Sequence, residues 1–336
     1  MNIHIDFSCH CEIPFTNKVY IMKLSIIIPV FNEEAVINTT HKKITALLDA
    51  LAWKETIGDY EIIYVDDGSK DNSLSLLRTF STESQKVKVI SFSRNFGHQP
   101  ALTAGILHST GDVVVSLDAD LQDPPELIEE MLAKYRMGND IVYAVRRERD
   151  GDTFLKRWTA RIFYKVMKKM GVNIVYDHAD YRLISRKVVE EFRKIREVNL
   201  FLRGIFPYLG FKHEIVYYDR QKRFAGETKY PLRKMFSFAW EGITSFSSVP
   251  LRLASLTGFI ISLGSVGLIV WALYVRLSGK AIPGWASIVI PLFFIGGLNI
   301  LFLGLMGEYI GKIYSEVKKR PIFIIRERHN INDDSE

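Results

Sequence analysis

The stretch "SLDADLQDPPE", residues 116–126, sets three aspartates within six residues at the end of an apolar run and stops on two prolines. Asp118 and Asp120 alternate with Ala119 at an expected strand end, so both carboxylates can turn toward one point, and Gln122 adds a neutral oxygen at the same spacing. An all-oxygen ligand set suits Mg²⁺ or Mn²⁺, ions that also bridge to phosphate oxygens. Asp123 invites a separate explanation. It precedes Pro124 and Pro125 with Glu126 three residues on, the pattern of a helix N-cap, prolines in the opening turn and a capping-box acid.

Two more acidic loops raise the same choice between chemistry and capping. In "PVFNEE", Asn32 is a candidate N-cap, with Glu33 and Glu34 favoured by the helix dipole. In "VDDGSKDNS", Asp66 and Asp67 end a strand and Ser69 or Asp71 can cap the next helix. The same aspartate pair, beside a turn glycine, can accept hydrogen bonds from a base N–H or from ribose hydroxyls.

The elements that must carry these loops follow from periodicity. From residue 24 to 144, the runs "LSIIIPV", "EIIYV", "VKVISF", "DVVVSL" and "DIVYA" alternate with helix-length segments. Near-continuous apolar strands of this kind argue for a doubly wound α/β domain, its parallel sheet covered on both faces. Ligands in such sheets bind beyond the carboxyl ends of the strands, where all three acidic loops fall. Neither G-x-G-x-x-G nor G-x-x-x-x-G-K-[ST] occurs, so a bound nucleotide would be held by carboxylates and not by a glycine cradle.

Composition narrows the class. With 44 Lys and Arg against 38 Asp and Glu, the net charge of +6 is too small for a dedicated nucleic-acid binder, and no nucleic-acid partner is expected. It suits phosphates or an anionic membrane surface. Cys9 and Cys11, in "SCHCE", have no second Cys/His cluster to complete a tetrahedral site and read as reduced thiols. Residues 1–21 lack the apolar core of a secretory signal and are expected to be a disordered leader, with Met22 a candidate start.

Residues 256–275 and 281–307 carry no charge over 20 and 27 residues. At about 1.5 Å per residue, each can cross a hydrocarbon core of about 30 Å. Trp271, Tyr274 and Trp285 lie near the shared turn as interfacial anchors would; a buried soluble hairpin is the alternative. Lys229, Arg233, Lys234 and Arg252 precede the first stretch and Lys312, Lys318, Lys319 and Arg320 follow the second, against Arg276 and Lys280 between them. The positive-inside rule then puts both termini in the cytosol. Residues 154–170 and the segment "YPLRKMFSFAWEGITSFSSVP" read as amphipathic helices suited to the membrane interface, although a solvated charged face explains the first equally well. The polar tail after Arg326 is expected to fray.

Taken in order, "SIIIPVFNEE", "VDDGSKDNS", "SRNFGHQPALTAGILHSTGD", "LDADLQDPPE", "ADYRLISR", "RFAGETKY" and "LMGEYIGKIYSEVKKRP" resemble the family 2 glycosyltransferases that charge a polyprenyl phosphate with one sugar. The resemblance covers residues 22–326 and is strongest to the GtrB-like bactoprenol (undecaprenyl-phosphate) glucosyltransferases, with dolichyl-phosphate mannose synthases more distant. It implies a GT-A fold over residues 22–228, an amphipathic interface helix at 229–252 and two transmembrane helices, 256–275 and 284–307, within 253–307. A cytosolic tail, 308–336, would follow. The enzyme would sit in the inner (cytoplasmic) membrane with its catalytic domain in the cytosol.

The resemblance further implies a nucleotide-sugar donor, a divalent cation (Mg²⁺ or Mn²⁺), a polyprenyl-phosphate acceptor and inverting transfer. UDP-glucose is favoured, with GDP-mannose, UDP-galactose or an aminoarabinose donor left open. Pro29, Glu33, Asp66 and Asp67 would contact the nucleoside, and Asp118, Asp120 and Gln122 would hold the metal on the diphosphate. Asp180 would be the active-site acid near the acceptor. Arg147, Arg223 and Lys229 would meet donor or acceptor phosphates, with Arg146 and Arg149 competing for the place of Arg147 and a membrane-surface charge the plain alternative for each. A flippase and a second glycosyltransferase would act downstream, and the glycine-bearing spans would allow a homo-oligomer. Departures are the approach "YDHAD", which lacks the glycine of relatives, and the leader, which matches nothing. No Q-x-x-R-W follows, which weakens a processive synthase; a catalytically inactive membrane scaffold is the alternative from another class.

The chemistry is displacement of a nucleoside diphosphate from an anomeric carbon by a phosphate oxygen. A phosphate monoester with a second pKa of about 6 is already largely dianionic at neutral pH, so a strong general base is unnecessary. Asp180 is therefore expected to position the acceptor or the sugar, not to abstract a proton.

Overall fold

The computed structural model describes residues 22–147, 178–219, 244, 247–278, 284 and 286–331. The apolar run KLSIIIPV forms β1 (Lys23–Val30), buried from Leu24 onward as a central strand covered on both faces must be. β2 (Asp59–Asp66) and β4 (Val113–Ser116) flank it in parallel, and β3 (Val87–Phe92) lies parallel beyond β2. β6 (His178–Ser185) runs antiparallel between β4 and β5 (Ile141–Arg146), and β7 (His213–Tyr218) lies parallel outside β5. β8 (Ile325–His329) pairs antiparallel with β3, completing the order β7-β5-β6-β4-β1-β2-β3-β8. The expected parallel arrangement holds for β1 to β4, but the sheet as a whole is mixed.

Among the described residues six helices cover its faces: α1 (Ile37–Trp53), α2 (Ser73–Glu83), α3 (His98–Leu107), α4 (Leu127–Arg136), α5 (Arg186–Arg193) and α6 (Leu202–Tyr208). α1 buries Ile37, Thr40, Ile44, Leu48 and Leu51, one stripe at helical spacing. Its apolar members pack with Leu24, Ile26 and Ile28 on one face of β1, in a core that also holds Ile128 and Met131 of α4. Ile27, Ile63 and Val65 face the other way, against Ala101 and Leu102 of α3 and Val188 and Val189 of α5. Each fully buried Ile or Leu contributes about 1.5–3 kcal/mol.

Three expectations about ends of elements are corrected. α4 starts at Leu127 with Glu126, not Asp123, at its N-cap position; Asp123 is 1% exposed and its carboxylate accepts from Tyr218 Oη at 2.5 Å. A buried phenol donor has taken the carboxylate that spacing assigned to the helix. α1 starts at Ile37 behind Val36, so Asn32 is not its cap; held at φ 56°, its Oδ1 accepts from Lys70 N at 2.8 Å and joins two loops. Asp71, by contrast, does accept the first N–H of α2, from Ser73 at 3.0 Å. The C-terminal tail does not fray after Arg326, because an unpaired edge of β3 is available to it: β8 occupies that edge, and Arg78 of α2 holds Glu327 at 2.6 and 2.8 Å.

α7 (Val249–Leu277) and α8 (Ala286–Lys318) have 29 and 33 residues, lengths of about 43 and 50 Å. Within them, Val249–Leu268 and Phe294–Lys318 are apolar enough to cross a membrane, and apart from Pro250 their described side chains are exposed or only partly buried. Exposure of this extent argues against the buried soluble hairpin and suggests association with a membrane. Tyr309 Oη of α8 donates to Ser247 O, just ahead of α7, at 2.6 Å, so the hairpin returns to the side from which it left. The interface segment expected at 154–170 and most of that expected at 229–252 lie outside the described residues, as do residues 1–21; the last residues of the second, from Val249, already belong to α7.

Candidate active site

Three loops meet beyond the carboxyl ends of β1, β2 and β4. The first two are stitched together: Asn32 N donates to Ser69 Oγ at 3.0 Å, Glu33 N to Ser73 Oγ at 2.8 Å, and Asn72 N to Glu34 Oε2 at 2.8 Å. Asp66 accepts from Ser69 N at 3.1 Å and from Ser91 Oγ at 2.9 Å. Asp67 takes Phe96 N at 2.6 Å and Gly97 N at 2.9 Å, which ties the second loop to the start of α3. Burial raises the Asp67 pKa despite these two donors. Gly68, at φ 70°, permits the approach, since a Cβ there would lie 2.5 Å from the Arg94 carbonyl carbon. Pro29 is buried in β1, opposite Val65.

The third loop follows β4. Thr40 Oγ1 donates to Ala119 O at 2.7 Å, and Asp120 Oδ1 accepts from Gln122 N at 3.1 Å. Between them the backbone passes through Leu121 at φ 54°, a left-handed conformation that a branched side chain adopts only under constraint. Burial, together with the charges of Asp123, Asp180 and Asp120, raises the Asp118 pKa to about 6 against the opposing pull of His98. Gln122 is 6% exposed, and its Oε1 is buried with no hydrogen-bond partner among the described residues. Carboxylates that raise one another's pKa and a buried amide oxygen are the kinds of oxygen group that a hard divalent cation takes as ligands.

Asp180 reaches the loop through the antiparallel strand. Register pairs Ser116 with Arg182, so Asp180 falls two residues beyond the end of β4, on the side of Asp118. Ser116 Oγ donates to Asp180 O at 2.5 Å and fixes that junction. The Asp180 carboxylate accepts from Arg182 Nη2 at 2.6 Å and from Arg203 Nε and Nη2 at 3.2 and 3.1 Å. His98 Nε2 lies 3.4 Å from Asp180 and 3.7 Å from Asp118. Burial alone would raise the Asp180 pKa, but His98, Arg203 and Arg182 outweigh it and hold the group well below the carboxylate range. The same contacts raise His98, whose burial would otherwise lower it.

The structure thus places Asp118 and Asp180 on either side of His98, with Asp120 and Gln122 on the same loop as Asp118 and Glu33, Asp66 and Asp67 on the neighbouring loops; among the described residues no three His, Cys, Asp or Glu side chains are grouped to hold a metal ion. Arg147 is not drawn in: it is 63% exposed and faces Asp219 at 3.8 Å, whereas Arg146 reaches Asp123 at 3.7 Å and donates to Tyr218 Oη at 3.1 Å. Adjacent strand residues point to opposite faces, so only one of the two arginines can face the loop. Arg223, Lys229 and Arg149 lie outside the described residues. His98, Arg182 and Arg203 were given no role from sequence. The first two stand inside quoted motifs, while Arg203, in "NLFLRGIF", is marked by nothing local.

A mixed α/β sheet with its acidic loops at the carboxyl ends of β1, β2 and β4 is the GT-A arrangement of sugar-nucleotide transferases. Residues 25–193 match the model of the family described as "Glycosyl transferase family 2". The chain belongs to glycosyl transferase family 2 and is an enzyme that transfers a sugar. It is 44% identical over 314 residues to the uncharacterized glycosyltransferase YkcC of Bacillus subtilis (strain 168), covering 93% of this chain and 96% of that one. It is 39% identical over 313 residues to the bactoprenol glucosyl transferase of Shigella phage SfII, covering 93% and 100%. Among solved structures, mannosyl-3-phosphoglycerate synthase from Rubrobacter xylanophilus aligns over 70% of this chain and 75% of that one, with 18% identity and a TM-score of 0.47.

Proposed function

We propose that the chain transfers glucose from UDP-glucose to a polyprenyl phosphate, with inversion, at the cytosolic face of the cytoplasmic membrane. The observation that carries this reading is the pairing of acidic loops at the carboxyl ends of β1, β2 and β4 with a hairpin of two lipid-length helices that starts and ends beside the same domain. Likeness along almost the whole chain to a bactoprenol glucosyl transferase supports the lipid acceptor and the glucose.

In this reading Pro29, Glu33, Asp66 and Asp67 border the nucleoside, and Asp118, Asp120 and Gln122 hold Mg²⁺ or Mn²⁺. The metal, when bound, supplies Lewis-acid stabilisation of charge on the departing diphosphate. Asp180 stays ionised between two arginines and His98, so it orients the sugar or acceptor and stabilises positive charge at the anomeric centre. The acceptor phosphate attacks as a dianion and needs no proton removed. Arg223 and Lys229 offset repulsion between the two polyanions, and Arg146 is a better placed basic neighbour of the third loop than Arg147. Both termini face the cytosol, and residues 229–252 lie at the interface.

A thermal-shift panel of UDP- and GDP-sugars with Mn²⁺ tests the donor. UDP-glucose should raise the unfolding midpoint more than UDP-galactose or GDP-mannose. A larger shift with GDP-mannose would replace glucose by mannose in the proposal.

A further inference from the structure

The motif "GEYIGKIYSEVKK" at the end of α8 has no part in the chemistry above, yet it makes a dense contact with the catalytic domain. Glu316 Oε1 and Oε2 accept from Val198 N at 3.1 and 3.0 Å, and Oε1 also accepts from Asn199 N at 2.9 Å and Asn199 Nδ2 at 2.8 Å. Asn199 Nδ2 also reaches Lys312 O, one turn earlier, at 3.5 Å. One carboxylate of a membrane helix thus binds two consecutive backbone N–H groups of a catalytic-domain loop.

That loop leads directly to the site. Three residues after Asn199, Leu202 N donates to Gln99 Oε1 at 3.0 Å, and Gln99 is the neighbour of His98. Arg182 Nη1 donates to Leu202 O at 3.4 Å, and Arg203 grips Asp180. The segment 198–203 is therefore fastened at one end to α8 and at the other to the groups around Asp180. α8 itself is fixed from beyond its end: Phe323 stacks on Phe92 with ring centres 5.1 Å apart, Ser93 N donates to Ile324 O at 2.9 Å, and β8 follows.

We propose that Glu316 is a positioning residue: it couples the seating of the membrane hairpin to the Arg203–Asp180 contact, so that the transfer site is complete only when the end of α8 is docked. The role in transfer rests on the function proposed above; the coupling does not. A loop held by a carboxylate at two backbone N–H groups has one register, and releasing it lets Arg203 drift from Asp180. Displacement on the scale of an ångström at a reacting centre lowers turnover by up to about a hundredfold without touching donor affinity.

The test uses the full chain in lipid nanodiscs, comparing wild type with Glu316→Ala, the milder Glu316→Gln and Asn199→Ala. Amide exchange should rise in Glu316→Ala over residues 198–203 and also over 178–183, with Asn199→Ala intermediate. In sugar transfer, kcat should fall roughly ten- to a hundredfold with donor KM within about twofold. If Glu316→Ala does not fold, Glu316→Gln carries the same comparison with a smaller effect. Exchange that rises at 198–199 alone, with kcat within about twofold of wild type, overturns the coupling. If wild type transfers no sugar, the function reading fails, and unchanged exchange at 178–183 then overturns the coupling on its own.

Discussion

Arg203 meets Asp180 at two points, Nε to Oδ1 at 3.2 Å and Nη2 to Oδ2 at 3.1 Å. A bidentate guanidinium contact of this kind fixes both the charge and the orientation of the carboxylate. The contact keeps Asp180 ionised, as the positioning role proposed for it requires.

Asp180→Asn should lower kcat by about a hundredfold while leaving the shape of the pH-rate profile between pH 5 and 8 unchanged. Arg203→Lys, which keeps the charge and loses the fork, should cost about tenfold. Steady-state rates across pH check both. An acidic limb present in wild type and lost in Asp180→Asn would show that the group accepts a proton after all.

Gln122 presents a buried amide oxygen without a hydrogen-bond partner among the described residues. Gln122→Leu should raise the Mn²⁺ concentration needed for half-maximal rate by at least about tenfold, with the fold intact. Metal titration at saturating donor measures it, and an unchanged half-saturation point would remove Gln122 from the ligand set.

Glu61 is 2% exposed and ties four elements together. It accepts from Ser25 Oγ at 2.5 Å, Thr110 N at 2.6 Å and Thr110 Oγ1 at 2.8 Å, and pairs with Lys88 Nζ at 2.6 Å. Burial would raise its pKa, but Lys88, Ser25 and Thr110 bring it down to about 2. Because the folded value is depressed, the stabilisation, on the order of 3 kcal/mol, is full above the unfolded carboxylate pKa of about 4.3 and disappears as pH falls toward 2. Denaturant unfolding should show stability declining from pH 5 to pH 3 in wild type and a flatter profile in Glu61→Gln. Parallel profiles would contradict the assignment.

Tyr218 Oη donates to Asp123 and accepts from Arg146 Nε. Tyr218→Phe leaves a buried carboxylate short of one donor and should destabilise the fold by about 1–3 kcal/mol. Thermal unfolding of purified protein reports the loss; a midpoint equal to wild type would mean that Asp123 finds another donor at no cost.

What was legible in the sequence follows from how local each signal is. The five strands from β1 to β5 could be read because each is a continuous apolar run, and their polar ends announced the crevice. Asp118, Asp120 and Gln122 could be read as neighbours because one loop after a strand end carries all three. Asp123 misled because spacing shows a cap but not a competing donor, and Tyr218 lies 95 residues away. Asn32 misled similarly, its partner Lys70 being 38 residues distant. Arg203 and Glu316 were invisible as a pair because their connection exists only after β6 inserts antiparallel beside β4 and α8 returns to the loop at 198–199. The tail looked free because its polar composition says nothing of the open β3 edge it pairs with.

The central claim is transfer of a sugar from a nucleotide donor to a lipid phosphate by the Asp118–Asp120 crevice, and label transfer measures it most directly. Wild type and Asp120→Asn, reconstituted with polyprenyl phosphate, UDP-[¹⁴C]glucose and Mn²⁺, are assayed for radioactivity in the organic phase, alongside labelled UDP-galactose and GDP-mannose. The account expects alkali-resistant, acid-labile glycolipid from wild type with UDP-glucose and a loss of at least about a hundredfold in Asp120→Asn. No lipid-phase label from any donor, or equal label from both proteins, would contradict it.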